Sequence, residues 1–116
     1  SMLDDLRDHV LALQPIGPDV TLEIAAEINR PVFPRGPGTA QLFEHAKEIC
    51  REVGFELDER HSGGGSDGNF TAALGIPTLD GLGADGHGHH TLDEYILFSS
   101  LAPRAKMWVR LLETLT

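Results

Sequence analysis

Residues 55–79 read FELDERHSGGGSDGNFTAALGIPTL, and this stretch says the most about the fold. A strand is predicted at residues 55–59, and the glycine-rich run at 62–68 is too flexible for the interior of an element. A short helix is predicted at 69–74 and a short buried strand at 76–79. This succession of strand, loop, helix and strand predicts layered α/β structure rather than a helix bundle or a β-sandwich.

The flanking sequence adds one long strand and three amphipathic helices. Apolar residues alternate from Val20 to Ile28, which predicts a strand with one covered face. The proline-rich loop at 29–38 marks a candidate domain boundary. Helical spacing of apolar residues predicts a helix at residues 3–14. A second helix is predicted to end at Gly54, with an apolar face of Phe43, Ala46, Cys50 and Val53. A final helix has Pro103 in its first turn and an apolar face of Leu101, Ala105, Trp108 and Leu112.

Composition restricts the class of protein. A chain of 116 residues with 41% hydrophobic and 23% charged residues is typical of one globular unit. The sequence has no long apolar run for a membrane span and no signal-peptide pattern, so we expect a cytoplasmic protein. The formal net charge of -9 argues against nucleic acid or an anionic membrane as partner. The single cysteine, Cys50, is predicted to be a small buried apolar residue.

Residues 86–90 read GHGHH and lie among several carboxylates. Imidazole and carboxylate groups are common zinc ligands, so this segment is a candidate metal site. Three histidines so close together on a loop rarely all bind one ion, and we expect at most one or two of them to be ligands. The alternative is a solvated flexible loop without a metal.

The glycine-rich loop allows three interpretations. Residues 64–68 fit the Gly-x-Ser-x-Gly pattern, which would make Ser66 the nucleophile of a serine hydrolase. A phosphate-binding loop is weaker, because its Gly-Lys-Ser/Thr end is missing. In the third interpretation, backbone N–H groups of the loop bind a substrate carboxylate, and Arg30, held before Pro31, offers the same carboxylate a bidentate guanidinium. The alternative for Arg30, which the sequence pattern alone favours, is an exposed charge at the end of a strand.

Five short motifs in a fixed order resemble the zinc metallopeptidase family that includes glutamate carboxypeptidase, acetylornithine deacetylase and aminoacylase. The resemblance runs from about Val20 to the end of the chain. The motifs are NRP at 29–31, GGGSDGNF at 63–70, ALGIP at 73–77, HTLDEY at 90–95 and LAPR at 101–104.

The resemblance implies a role for three residues of this chain. His90 matches the histidine that binds one of two zinc ions, and by the same match His87 and His89 are not ligands. Arg30 matches an arginine that binds the substrate carboxylate. Gly65 matches a glycine whose backbone contacts the substrate, and the neighbouring serine becomes a loop residue.

The resemblance also implies a domain organisation and an activity. Residues 1–35 would end an inserted α+β lid and dimerisation domain of a homodimer, and residues 36–116 would close a two- or three-layer α/β catalytic domain. The reaction would be hydrolysis of an amide bond beside a carboxylate in a small peptide or N-acyl amino acid, as in a carboxypeptidase or amidohydrolase.

Family members also need a His-x-Asp motif and a Glu-Glu pair that holds the general base, and this sequence has neither. We therefore expect the chain alone to be inactive. The alternative from another class is a non-enzymatic module that binds metal through its histidines or forms dimers.

Overall fold

A computed structural model describes residues 2–115 of the chain. The chain divides into two compact units, Ser1–Val32 and Phe33–Thr116. None of the helices within the described residues combines the length and apolar character needed to cross a membrane. The assignment of residues 1–35 to a lid domain, and a cytoplasmic location, stay predictions.

The first unit contains helix α1, Met2–Leu11, which has acidic residues in its first turn. The helix ends at Leu11, three residues before the predicted end at position 14. Pro15 disfavours a helical backbone at position 14, the residue before it. The strand predicted at residues 20–28 is not formed. A strand needs a neighbour for its backbone hydrogen bonds, and none of the described residues pairs with this segment.

The second unit is built on the packing of α2, Pro37–Val53, against α4, Phe98–Thr114. Helix α2 starts at a proline, which suits a first helical position, and ends at Gly54 with φ +102°, a left-handed backbone that favours glycine. Eight apolar residues form one buried cluster: Phe43, Ala46, Ile49, Cys50, Leu57, Leu82, Met107 and Leu111. Helix α2 and its apolar face are therefore as predicted.

Cys50 lies fully inside this cluster, as the sequence predicted. Burial raises the pKa of its thiol, because the apolar surroundings disfavour the thiolate. The nearby guanidinium of Arg104 opposes that effect more weakly. A buried thiol held in the neutral form suits a packing role and not a nucleophile.

The apolar face of α4 differs from the predicted one. Met107 and Leu111 are buried, whereas Trp108 and Leu112 of the predicted stripe are exposed. Trp108 is 45% exposed, and its indole N–H donates to the carbonyl of Leu82 at 3.2 Å. Pro103 lies inside the helix and beyond its first turn, because the helix begins earlier than predicted, at Phe98.

The remaining elements of the second unit are short. Helix α3 is Gly68–Ala73, one residue earlier than predicted, and the strands are β1, Gly86–His87, and β2, Tyr95–Ile96. Strand β1 falls in a segment predicted to be loop. The strands predicted at 55–59 and 76–79 are not formed, because neither segment pairs with another among the described residues. The second unit is thus a helix-rich mixed α/β structure that fits a piece of a layered domain.

Candidate functional site

The predicted metal ligand lies on a small hairpin of residues 86–96, which we call the histidine hairpin. Strands β1 and β2 pair antiparallel, with Gly86 opposite Ile96 and His87 opposite Tyr95. The rings of His87 and Tyr95 are 5.9 Å apart and tilted by 58°. This pairing orients the connecting residues 88–94, which carry the other two histidines of the loop.

Thr91 organises the connecting loop. Its amide N–H donates to the carbonyl of Gly88 at 3.0 Å, and its hydroxyl donates to the same carbonyl at 2.7 Å. The hydroxyl also accepts a hydrogen bond from the amide of Asp93 at 3.2 Å. The amide of Glu94 donates to the Thr91 carbonyl at 3.3 Å. These bonds fix the backbone on both sides of the adjacent His90.

His90 has a left-handed backbone, with φ +65°, the one positive φ outside glycine among the described residues. This conformation costs a non-glycine residue about 1 kcal/mol, and such strain is concentrated at functional sites. The amide of His90 donates to Oε2 of Glu94 at 3.3 Å, while Nδ1 of His89 lies 3.7 Å from Oε1 of the same carboxylate. Glu94 thus faces both histidines, and the His90 side chain is exposed.

The hairpin carries side chains that are suitable ligands for one part of a zinc site. An exposed imidazole on a fixed backbone is a suitable ligand, and carboxylates lie beside it. Within residues 2–115, however, no group of three or more His, Cys, Asp or Glu side chains is placed to hold a metal ion. A structural zinc site has four protein ligands and a catalytic one usually three, so a zinc site that includes His90 would need most of its ligands from elsewhere. The interpretation that this loop binds metal by itself has no support here.

Side chains in and next to the glycine-rich loop accept hydrogen bonds from its backbone amides. The hydroxyl of Ser66 accepts from the amide of Gly68 at 3.1 Å, and the amide of Ser66 donates to Oδ1 of Asn69 at 2.8 Å. The hydroxyl of Ser62 accepts from the amide of Gly64 at 3.1 Å. None of the Ser66 hydrogen bonds in the described chain involves a histidine, which a serine nucleophile would need. Gly65 is exposed in the middle of this loop.

Arg30 belongs to the first unit, whereas Gly65 and His90 belong to the second. Arg30 is partly buried and lies at a bend rather than at the end of a strand. The strand that would have placed it is absent from the described residues, so its role toward a substrate carboxylate stays a prediction. The roles of Gly65 and His90 stay predictions as well.

Sequence reasoning missed how the histidine hairpin is attached to α4. Asp85, which directly precedes β1, is bonded to three residues of the segment from Leu97 into α4. The signal in the sequence was an acidic residue next to the histidines and an arginine 19 positions later. No regular spacing links two such residues, because one lies in a loop and the other in a helix.

Comparison with known proteins gives consistent matches. The model of the family described as Peptidase family M20/M25/M40 matches residues 7–114. Carboxypeptidase G2 from Pseudomonas sp. (strain RS-16) is 32% identical over 97 residues, which cover 82% of this chain and 23% of that protein. Uncharacterized protein YqjE from Bacillus subtilis (strain 168) is 34% identical over 91 residues, 78% of this chain and 24% of that protein. The chain therefore spans about a quarter of the length of these relatives. No solved structure matches it significantly.

Proposed function

The chain belongs to peptidase family M20/M25/M40, and from this membership we propose that it is the C-terminal part of a zinc-dependent carboxypeptidase or N-acyl-amino-acid amidohydrolase. The observation that carries the proposal is the family match over residues 7–114, which includes all five motifs. A relative named as a carboxypeptidase supports cleavage beside a substrate carboxylate.

Each predicted site residue has a defined task in this proposal. His90 would bind one of two zinc ions through its exposed imidazole, held by the hydrogen bonds of the loop around it. When bound, the metal pair supplies Lewis-acid polarisation of the scissile carbonyl and activates the attacking water. Arg30 would bind the substrate carboxylate through two parallel N–H donors, which match the two carboxylate oxygens. The backbone N–H of Gly65 would hold the substrate next to the reacting bond.

We further propose that the 116-residue chain alone is inactive. The sequence lacks the His-x-Asp and Glu-Glu motifs, and the second unit offers too few ligands for a zinc ion within its described part. A general base within hydrogen-bonding reach of the attacking water is needed for the reaction. The general base would then come from residues outside this chain.

The homodimer inferred from the family is also a proposal. Residues 20–28 are mostly exposed and pair with no other described segment. A segment with a strand-like sequence and unpaired backbone groups can pair with another strand, including one from a second copy. Light scattering of the intact protein should give twice the mass of one chain, and a monomeric mass would exclude this part of the proposal.

The activity is tested on the intact protein, expressed from the complete reading frame that contains this chain. We expect it to hydrolyse N-acyl amino acids that have a free carboxylate, and to cleave the matched C-terminal amides at least about a hundredfold more slowly, because a bidentate charge-assisted contact is lost. A chelator should abolish the activity and added Zn²⁺ should restore it.

Two results would contradict this function. Activity that survives the chelator would exclude a metal-dependent reaction. Labelling of Ser66 by a fluorophosphonate would instead support the serine-hydrolase alternative. The 116-residue chain serves as the matched control, and we expect it to remain unmodified by the fluorophosphonate and inactive toward both substrates.

A further inference from the structure

Asp85 is bonded to the start of α4 through all three of its polar groups. Its amide N–H donates to the hydroxyl of Ser100 at 3.0 Å, and its carbonyl accepts from the amide of Leu97 at 2.7 Å. Its carboxylate Oδ1 accepts from Nη2 of Arg104. The Ser100 hydroxyl donates its own proton to the Leu97 carbonyl at 2.6 Å, so its lone pairs face the Asp85 amide. These contacts form one connected group, which we call the Asp85 anchor.

The arginine of the anchor lies deeper than the aspartate. The Arg104 side chain is 13% exposed, against 52% for Asp85. Its guanidinium is positioned over the ring of Phe55, 5.0 Å from the centroid, and its Nε and Nη1 atoms have no hydrogen-bond partner within the described residues. A largely buried charge is costly without an opposite charge. The Asp85 carboxylate is therefore the group that compensates Arg104.

The histidine hairpin has little else to hold it in place. Its strands are two residues each, and a two-stranded hairpin is marginally stable at best in water. Residues 89–96 are all exposed and add nothing to the buried cluster. Tyr95 and Ile96, the residues of β2, are more than half exposed. Within the described residues, apolar packing does not fix the hairpin, and the contacts that hold its base are polar.

We propose that Asp85 is a positioning residue for the metal ligand: it fixes the base of the histidine hairpin to α4 and so determines where His90 lies. This inference rests on the proposed function, because it assumes that His90 binds zinc. Asp85 acts through the backbone of β1, which it directly precedes, and through Arg104, and it need not touch the metal. Substitution of a residue that orients a metal ligand commonly lowers the affinity for the metal by about 10- to 100-fold.

The test compares Asp85→Asn with Asp58→Asn, a matched substitution at an exposed position that takes no part in the anchor. In the intact enzyme we expect Asp85→Asn to raise the zinc dissociation constant about tenfold and Asp58→Asn to leave it unchanged. Ser100→Ala removes the acceptor of the Asp85 amide without changing any charge, and it should weaken zinc binding in the same direction. Thermal melting confirms that each variant is folded at the assay temperature.

A second measurement needs no metal. In the 116-residue chain, Asp85→Asn should speed hydrogen exchange of the Leu97 and Thr91 amides about tenfold, since local opening of the hairpin becomes easier. Exchange of the Gly54 amide, which caps α2, should not change.

The outcomes separate this inference from the proposed function. If His90→Ala loses zinc while Asp85→Asn binds zinc and exchanges amides like the wild type, Asp85 is not a positioning residue and the proposed function stands. If His90→Ala retains all its zinc, the assignment of His90 as ligand fails, and with it the role of Asp85 toward the metal. In that case the amide exchange alone decides whether Asp85 anchors the hairpin.

Discussion

At the scale of single residues, the backbone of the histidine hairpin leaves no room for a side chain at Gly86. A Cβ atom there would lie 2.1 Å from the carbonyl oxygen of Tyr95 and 3.1 Å from Cα of Ile96. Gly83, which precedes the hairpin, has no atom within 4 Å of the corresponding position. The two glycines therefore form a matched pair for substitution by alanine.

We predict that Gly86→Ala separates β1 from β2 and destabilises the chain by about 2 kcal/mol, because two backbones cannot remain paired around the added methyl group. Gly83→Ala should be neutral within about 0.5 kcal/mol. Thermal unfolding followed by circular dichroism measures both, and 1 kcal/mol corresponds to roughly 4 °C for a chain of this size. Equal melting temperatures for the two variants would show that the hairpin is not paired as described.

The sequence identified His90 as the candidate ligand through its motif, and it placed Gly65 on a loop correctly. It could not predict the left-handed backbone of His90, because hydrogen bonds between residues 88 and 94 determine that conformation. The Asp85 anchor was equally inaccessible, since it depends on how a loop meets a helix in three dimensions. Local patterns reveal which residue types are present, while tertiary contacts determine their orientation.

At the scale of elements, the contact between α2 and α4 carries most of the buried core. Met107 of α4 is completely buried, whereas Val109 on the same helix is 55% exposed. We predict that Met107→Ala destabilises the chain by about 2–5 kcal/mol, from lost burial and the cavity left behind. Val109→Ala should cost less than about 0.5 kcal/mol. Urea unfolding measures the difference, and a small cost at Met107 would contradict the packing of α4 through this face.

Helices and strands differed in how far the sequence predicted them. Helix α2 matched its prediction because its backbone hydrogen bonds are internal and its end is fixed by Gly54. The strands predicted at 20–28, 55–59 and 76–79 depend on partners, and no described segment supplies one. In residues 55–59 burial still alternates, since Leu57 is buried between two exposed carboxylate residues. An alternating pattern predicts which face of a segment is covered, but the segment forms a strand only when a neighbouring strand pairs with it.

At the scale of the whole molecule, every residue of the buried cluster comes from the second unit. Helix α1 has no buried residue. We predict that a chain lacking residues 1–32 folds on its own and unfolds in urea at the same midpoint as the full chain. The measurement is urea unfolding of both chains under identical conditions. A truncated chain without a cooperative transition would show that the first unit is required for the fold.

The proposed function requires that His90 of this chain binds zinc within a larger hydrolase. The most direct measurement is the number of zinc ions bound per intact protein after dialysis, determined by mass spectrometry of the metal, for the wild type, His90→Ala and His89→Ala. We predict about two zinc ions for the wild type and for His89→Ala, and about one fewer for His90→Ala. Equal zinc content in all three proteins, or a loss confined to His89→Ala, would contradict it.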